Sequence, residues 1–132
     1  MAKIERFEDL QSWQKGRQLA NQIHELCEHV SFAKDFRLRS QIEDAAGSVM
    51  HNIAEGFDAG SNPEFIRFLK MSRRSASEVQ SELYLALDRK YISEQELHLA
   101  YGLATETKRL INGMIAYLRR SPPKGPTQKP TA

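Results

Sequence analysis

The chain lacks most of what would commit it to a specialised chemistry or compartment. Among its 132 residues there is one cysteine, Cys27, so no internal disulfide can form. A chain of this length needs none, since it buries about two thirds of the surface it exposes when unfolded. No run approaches the roughly 18 consecutive apolar residues of a membrane-spanning helix, and no basic start leads into an apolar stretch, which argues against insertion and secretion. The expected compartment is the cytoplasm, with no membrane partner. Charge of one sign is also missing. Nineteen Lys and Arg oppose seventeen Asp and Glu, and the net +2 is carried entirely by Lys124 and Lys129, leaving residues 1–120 neutral. A nucleic-acid surface would therefore have to come from uneven placement of charge, or from several copies brought together.

Metal and catalytic signatures are absent too. Di-iron and di-manganese bundles need Glu-x-x-His on two helices. Here His24, His51 and His98 are preceded three places earlier by Asn21, Ser48 and Gln95, and His29 by Leu26. There is no HExxH, CxxC or P-loop, and Gly56 with Gly60 is no phosphate cradle. Cys27 lies among inner-face residues, where a thiol is inert. No metal, cofactor, small-molecule substrate or catalytic group is expected.

Proline is confined as well: four of the five lie from residue 121 onward, in SPPKGPTQKPTA. Without an apolar anchor this segment cannot offset its ordering entropy, so residues 121–132 are expected to be a disordered, mildly basic tail after a single domain at 1–120. No segment alternates with period two, so the fold is expected to be all-α.

Apolar residues recur at helical spacing in four blocks. The first places Leu19, Ile23, Leu26 and Val30 on one row, with Trp13, Ala20 and Cys27 beside it and Asp9 as the expected N-cap. The second carries Leu38, Ile42, Ala45, Val49 and Asn52, flanked by Ala46, Ile53 and Phe57. In the third, Phe65, Leu69, Ser72, Ala76, Val79, Leu83 and Ala86 alternate four and three over three heptads, and Ser61, Pro63 and Glu64 mark its start with a capping box. The fourth carries Leu97, Ala100, Ala104, Thr107, Ile111, Met114 and Leu118 behind a second box, Ser93 with Glu96. Helices of about 20 to 28 residues, roughly 30 to 40 Å long, joined by short connections, predict an antiparallel up-down-up-down four-helix bundle.

The last two blocks carry more apolar surface than one stripe needs: Ile66, Phe68, Tyr84 and Leu85 in the third, and Leu99, Tyr101, Leu103, Leu110, Ile115 and Tyr117 in the fourth. A wide core stripe accounts for part of this. The rest points to self-association, because large apolar patches are rarely left in water.

Two polar features remain. Ser48, Asn52 and Glu55 form a row beside the second stripe, with Ser72, Ser75 and Glu78 as counterparts, while His51 and Glu55 stand one turn apart. An acid and a histidine there could serve acid–base chemistry. Packing is the favoured reading, since small residues let helices approach, and buried Asn or Glu fixes register. The third block also carries Arg67, Lys70, Arg73 and Arg74, opposed within that segment only by Glu64. That is either a matched helix surface or a phosphate-binding stripe, strengthened by repetition in an oligomer.

Phe7-Glu8-Asp9-Leu10 with Trp13-Gln14, the segment Ser48 to Phe57 containing NIAEGF, Phe65 to Leu69, and Ser75-Ala76-Ser77-Glu78 resemble the bacterial four-helix-bundle proteins called 23S ribosomal RNA intervening-sequence proteins. The likeness spans about residues 7 to 118. It implies a bundle assembled as a homopentameric ring, similar in fold to the accessory variability determinant of diversity-generating retroelements, whose members bind nucleic acid and a reverse transcriptase through a basic surface. It carries over no catalytic residue. Asn52, Glu55, Gly56, Ser75 and Glu78 match motif positions and are read as packing and assembly determinants. Arg74 departs from the small residue usual there, which favours its exposure.

The resulting expectation is a non-enzymatic, oligomeric scaffold that binds RNA or a nucleic-acid-processing protein through Arg67, Lys70, Arg73 and Arg74. The alternative is a protein–protein adapter without nucleic-acid contact. An enzyme using His51 and Glu55 ranks third.

Overall fold

The computed structural model describes residues 4–121, so the expected tail from residue 122 onward lies outside the described residues. Five α-helices follow a 3-10 turn at Phe7–Asp9: α1 Gln11–Cys27, α2 Val30–Lys34, α3 Phe36–Phe57, α4 Asn62–Asp88 and α5 Glu94–Arg120. Among the described residues there is no strand, and no helix is long and apolar enough to cross a membrane.

The helix boundaries follow from caps where caps exist. Ser93 accepts from the Glu96 amide at 3.1 Å while the Glu96 carboxylate accepts from the Ser93 amide at 2.9 Å, closing both halves of the expected box at the start of α5. At α4 only half forms: Ser61 accepts from the Glu64 amide, but the Glu64 carboxylate turns forward to Arg67. The start of α1 departs from expectation. Asp9 sits in the 3-10 turn, and the N-cap position falls to Leu10, which offers no side-chain bond but is buried. Burial of an apolar residue, rather than a cap, fixes that end. The far end differs as well: α1 stops at Cys27, and Val30 opens the short α2 with its side chain 73% exposed, off the stripe assigned to it.

Asp35 caps α3, accepting from the Leu38 amide at 3.1 Å, and its other oxygen accepts from Arg89 and the Tyr91 hydroxyl, each at 2.9 Å. These three bonds, the amide first, hold its carboxyl below the usual range.

The long helices pack α1 on α3, α3 on α4, α4 on α5 and α5 back on α1, enclosing one core. Side-chain hydrogen bonds tie these neighbours together: His24 with Glu43, Ser75 with Ser48, Gln80 with Thr105, Arg73 with Asn112. This helical bundle buries the rows read from the sequence. On α4 every member from Phe65 to Ala86 is buried, as is every member of the α3 row. On α5 only Met114 is partly open. Each fully buried Leu, Ile or Val contributes about 1.5–3 kcal/mol, so these rows hold the helices together.

The apolar surplus divides. Ile115 belongs to the core, and Ile66, Tyr101, Leu103 and Tyr117 pack against it. Phe68 and Leu110 are half-buried, while Tyr84, Leu85 and Leu99 remain exposed. The chain thus uses most of the surplus within itself. The most exposed large apolar side chains are elsewhere, Val30 and Phe36, at the end of the bundle that carries α2.

Candidate nucleic-acid interface

Two seams flank α4, and the polar residues singled out in the sequence fall on one or the other. Toward α3 the contacts close inward. Ser72 donates to the Val49 carbonyl at 2.7 Å, Ser75 donates to the Ser48 hydroxyl at 3.0 Å, and the Asn52 amide donates to both the carbonyl and the hydroxyl of Ser48. Gly56 lies where a Cβ would stand 2.8 Å from the Phe68 Cβ and 2.9 Å from the Phe65 ring. Only a residue without a side chain lets α3 and α4 approach so closely. Gly56 and Ser75 thus lie at the α3–α4 contact, and Asn52 bonds within α3 to the same Ser48 hydroxyl that Ser75 reaches. Glu55 and Glu78 are exposed and have no hydrogen bond or ion pair among the described residues. His51 is exposed too and makes no bond to Glu55, so the two do not form an acid–base pair.

The four cations of α4 do not share one face. Three-residue steps fall about 60° short of a full turn, so Arg67 and Arg73 diverge by about 120° around the axis. Arg67 turns to the α3 side. It bonds Glu64 at 2.9 Å, lies 4.5 Å above the Phe68 ring, and lines a hollow of about 540 Å³ shared with Glu55, Asp58 and Glu64. The Glu64 contact raises its pKa further. That hollow is predominantly acidic, which disqualifies it for phosphate.

Lys70, Arg73 and Arg74 turn the other way. With Ser77 and, from α5, Lys108, they line a shallow cavity of about 370 Å³ on the α5 side of α4. No carboxylate lines it. Arg73 donates to the Asn112 side-chain oxygen at 2.7 Å, and Lys108 to the Gln80 side-chain oxygen at 3.0 Å. Gln80, itself buried, is anchored by donating to Thr105 and to the Tyr101 carbonyl. Lys70 and Arg74 have no partner among the described residues, and Arg74 is exposed, as its departure from the small residue suggested. Lys108 escaped the sequence reading. Its nearness to Arg73 depends on how α5 lies against α4, and the only local signal was a basic pair with Arg109.

Elsewhere the chemistry is unpromising. Cys27 is fully buried and its thiol is pushed up to about 12 by burial, so it is no nucleophile. Among the described residues no group of three His, Cys, Asp or Glu could hold a metal ion.

A search of curated proteins finds no match. Among solved structures the chain is similar to a protein with unknown function from the S23 ribosomal protein family of Bacteroides thetaiotaomicron VPI-5482. The two share 25% identity with a TM-score of 0.74, the alignment covering 80% of this chain and 95% of that one. The segments that build the α3–α4 seam lie within residues 8–113, the span matched by the 23S rRNA-intervening sequence protein family, to which this chain therefore belongs.

Proposed function

We propose that the protein is a non-enzymatic scaffold, an up-down-up-down four-helix bundle that closes into a homo-oligomeric ring of five copies and binds RNA through a basic surface on α4. The observation that carries the RNA reading is the convergence of Lys70, Arg73 and Arg74 on one depression free of carboxylates, while Arg67 is already engaged by Glu64. A few cations on one neutral protomer bind a polyanion weakly; repeated around a ring they act together. The exposed Tyr84, Leu85 and Leu99 support contact between copies.

The test is RNA binding by the full chain as a function of salt. Affinity is expected to fall steeply between about 50 and 200 mM salt, and the double variant Lys70→Glu, Arg73→Glu to lose most of it. Salt-insensitive binding, or binding that survives the charge reversal, would end the RNA reading. Mass measurement in solution tests the ring, and a single subunit at micromolar concentration would remove it.

A second reading, a protein–protein adapter, is favoured by the exposed Val30 and Phe36. It predicts that Phe36→Ser abolishes capture of a protein ligand and that the purified particle has an absorbance spectrum free of nucleic acid.

A further inference from the structure

Most arginines of this protein whose partners are defined end on carboxylates: Arg6 on Glu8, Arg39 on Glu43, Arg67 on Glu64, Arg89 on Asp35 and Arg109 on Glu106. Their charge is largely cancelled at short range. Arg73 and Lys108 are treated differently. Each is gripped by a side-chain amide oxygen, from Asn112 and Gln80 respectively. An amide oxygen accepts a hydrogen bond and restrains the side chain, but brings no negative charge. The cations are thus held in place while their field stays available.

We propose that Lys108 of α5 completes a phosphate-binding cradle with Lys70, Arg73, Arg74 and Ser77 of α4, in which Asn112 and Gln80 are positioning residues that restrain the cations without neutralising them. The ligand class is a phosphate oxyanion. Four cations supply charge and N–H donors, and the Ser77 hydroxyl supplies a neutral one. The cavity is shallow and lies open along the α4–α5 seam, so it supports a phosphate from the side instead of engulfing a whole small molecule. That shape favours a phosphodiester of an RNA backbone over a free phosphorylated compound. The inference rests on the RNA reading for the source of the phosphate, but not for the cradle itself.

The experiment uses the full chain and two probes, a short fluorescein-labelled RNA hairpin and inorganic pyrophosphate, with the parent, Lys108→Gln, Asn112→Ala and Asn112→Asp. Lys108→Gln is expected to weaken RNA binding about three- to tenfold at low salt and to reduce the slope of log affinity against log salt by about 0.7 to 0.9, the loss of one phosphate contact. Asn112→Asp, which places a carboxylate beside Arg73, should reduce the slope by a similar amount. Asn112→Ala should weaken binding while leaving the slope in place, a split that a merely structural role for Asn112 would not produce. Pyrophosphate should raise the unfolding midpoint of the parent but not of Lys108→Gln.

The outcomes separate the two claims. RNA binding whose slope and affinity are unmoved by Lys108→Gln overturns the cradle and leaves the RNA reading standing. Pyrophosphate protection that depends on Lys108, without RNA binding, upholds the cradle, assigns it a small phosphorylated ligand, and overturns the RNA reading. Failure of the parent to respond to either probe overturns both.

Discussion

The two seams of α4 use similar polar residues to opposite ends. On the α3 side Ser48, Asn52, Ser72 and Ser75 spend their hydrogen bonds on one another and on backbone carbonyls, and Gly56 removes the last obstacle to contact. On the α5 side Gln80 and Asn112 spend theirs on half-buried cations that line an open cavity. A polar group that closes on its own scaffold does architecture, whereas one that restrains an unneutralised charge prepares a surface for something else. The comparison also explains why a polar row alone was ambiguous in the sequence: what matters is where its partners lie.

If the α3 seam is architectural, substitutions there should cost stability, and those on the α5 seam should not. The largest effect is expected from Gly56→Ala. Its new methyl meets Phe65 and Phe68 at distances real side chains do not tolerate, so the loss should be about 1–3 kcal/mol in chemical denaturation. Arg73→Gln should stay within about 0.5 kcal/mol in the same measurement. A smaller loss for Gly56→Ala than for Arg73→Gln would dissolve the distinction.

Next comes Glu82, 8% exposed, one of its oxygens without a hydrogen-bond partner. Burial first, then the neighbouring Glu78 carboxylate, pushes its pKa up to about 7, against an ordinary value of 4.5. The unfolded chain therefore releases this proton before the folded one does. The resulting stability is fully present below about pH 4.5, declines as the pH rises toward about 7, and is level above that. Glu82→Gln removes the decline. It is expected to stabilise the protein by about 1–2 kcal/mol near pH 8, after allowance for solvent screening, and to change little near pH 4. Equal effects at the two pH values would refute the account.

Ser72→Ala should follow. It leaves the Val49 carbonyl without its 2.7 Å donor in a fully buried position, at a cost of about 1 kcal/mol. The smallest effect is a gain. A Cβ added at Gly102 or Gly113 of α5 would meet nothing within 4 Å, so each Gly→Ala should stabilise by about 0.5–1 kcal/mol. If either substitution instead lowers the particle mass in solution, that outer face of α5 is where copies meet.

Much of the bundle was legible because its core rows are local in spacing. Phe65 to Ala86 on α4 and Leu38 to Asn52 on α3 announce their inner faces by period alone, and Ser93 with Glu96 announces a start. What stayed hidden depends on distant partners. Asp35 looks like any loop acid until Arg89 and Tyr91, more than fifty residues later, arrive beside it. Glu64 satisfied the pattern of a capping box but had a nearby arginine to prefer. Arg67 fell in the same basic cluster as Arg73 although helical geometry sends them to different seams, one ending on Glu64 and the other on Asn112. Lys108 needed the crossing of α5 over α4, which no local spacing encodes.

The grip on Asp35 has a temporal side. While the chain is being made, its first oxygen can cap α3 at once, but the second waits until residues 89 and 91 have emerged. Domains form as units during synthesis from the N-terminal end. This end of the molecule is therefore latched only when α4 is complete and the residues after it have reached Asp35, and a ribosome paused before that point would hold a half-made protein whose first three helices lack their clasp.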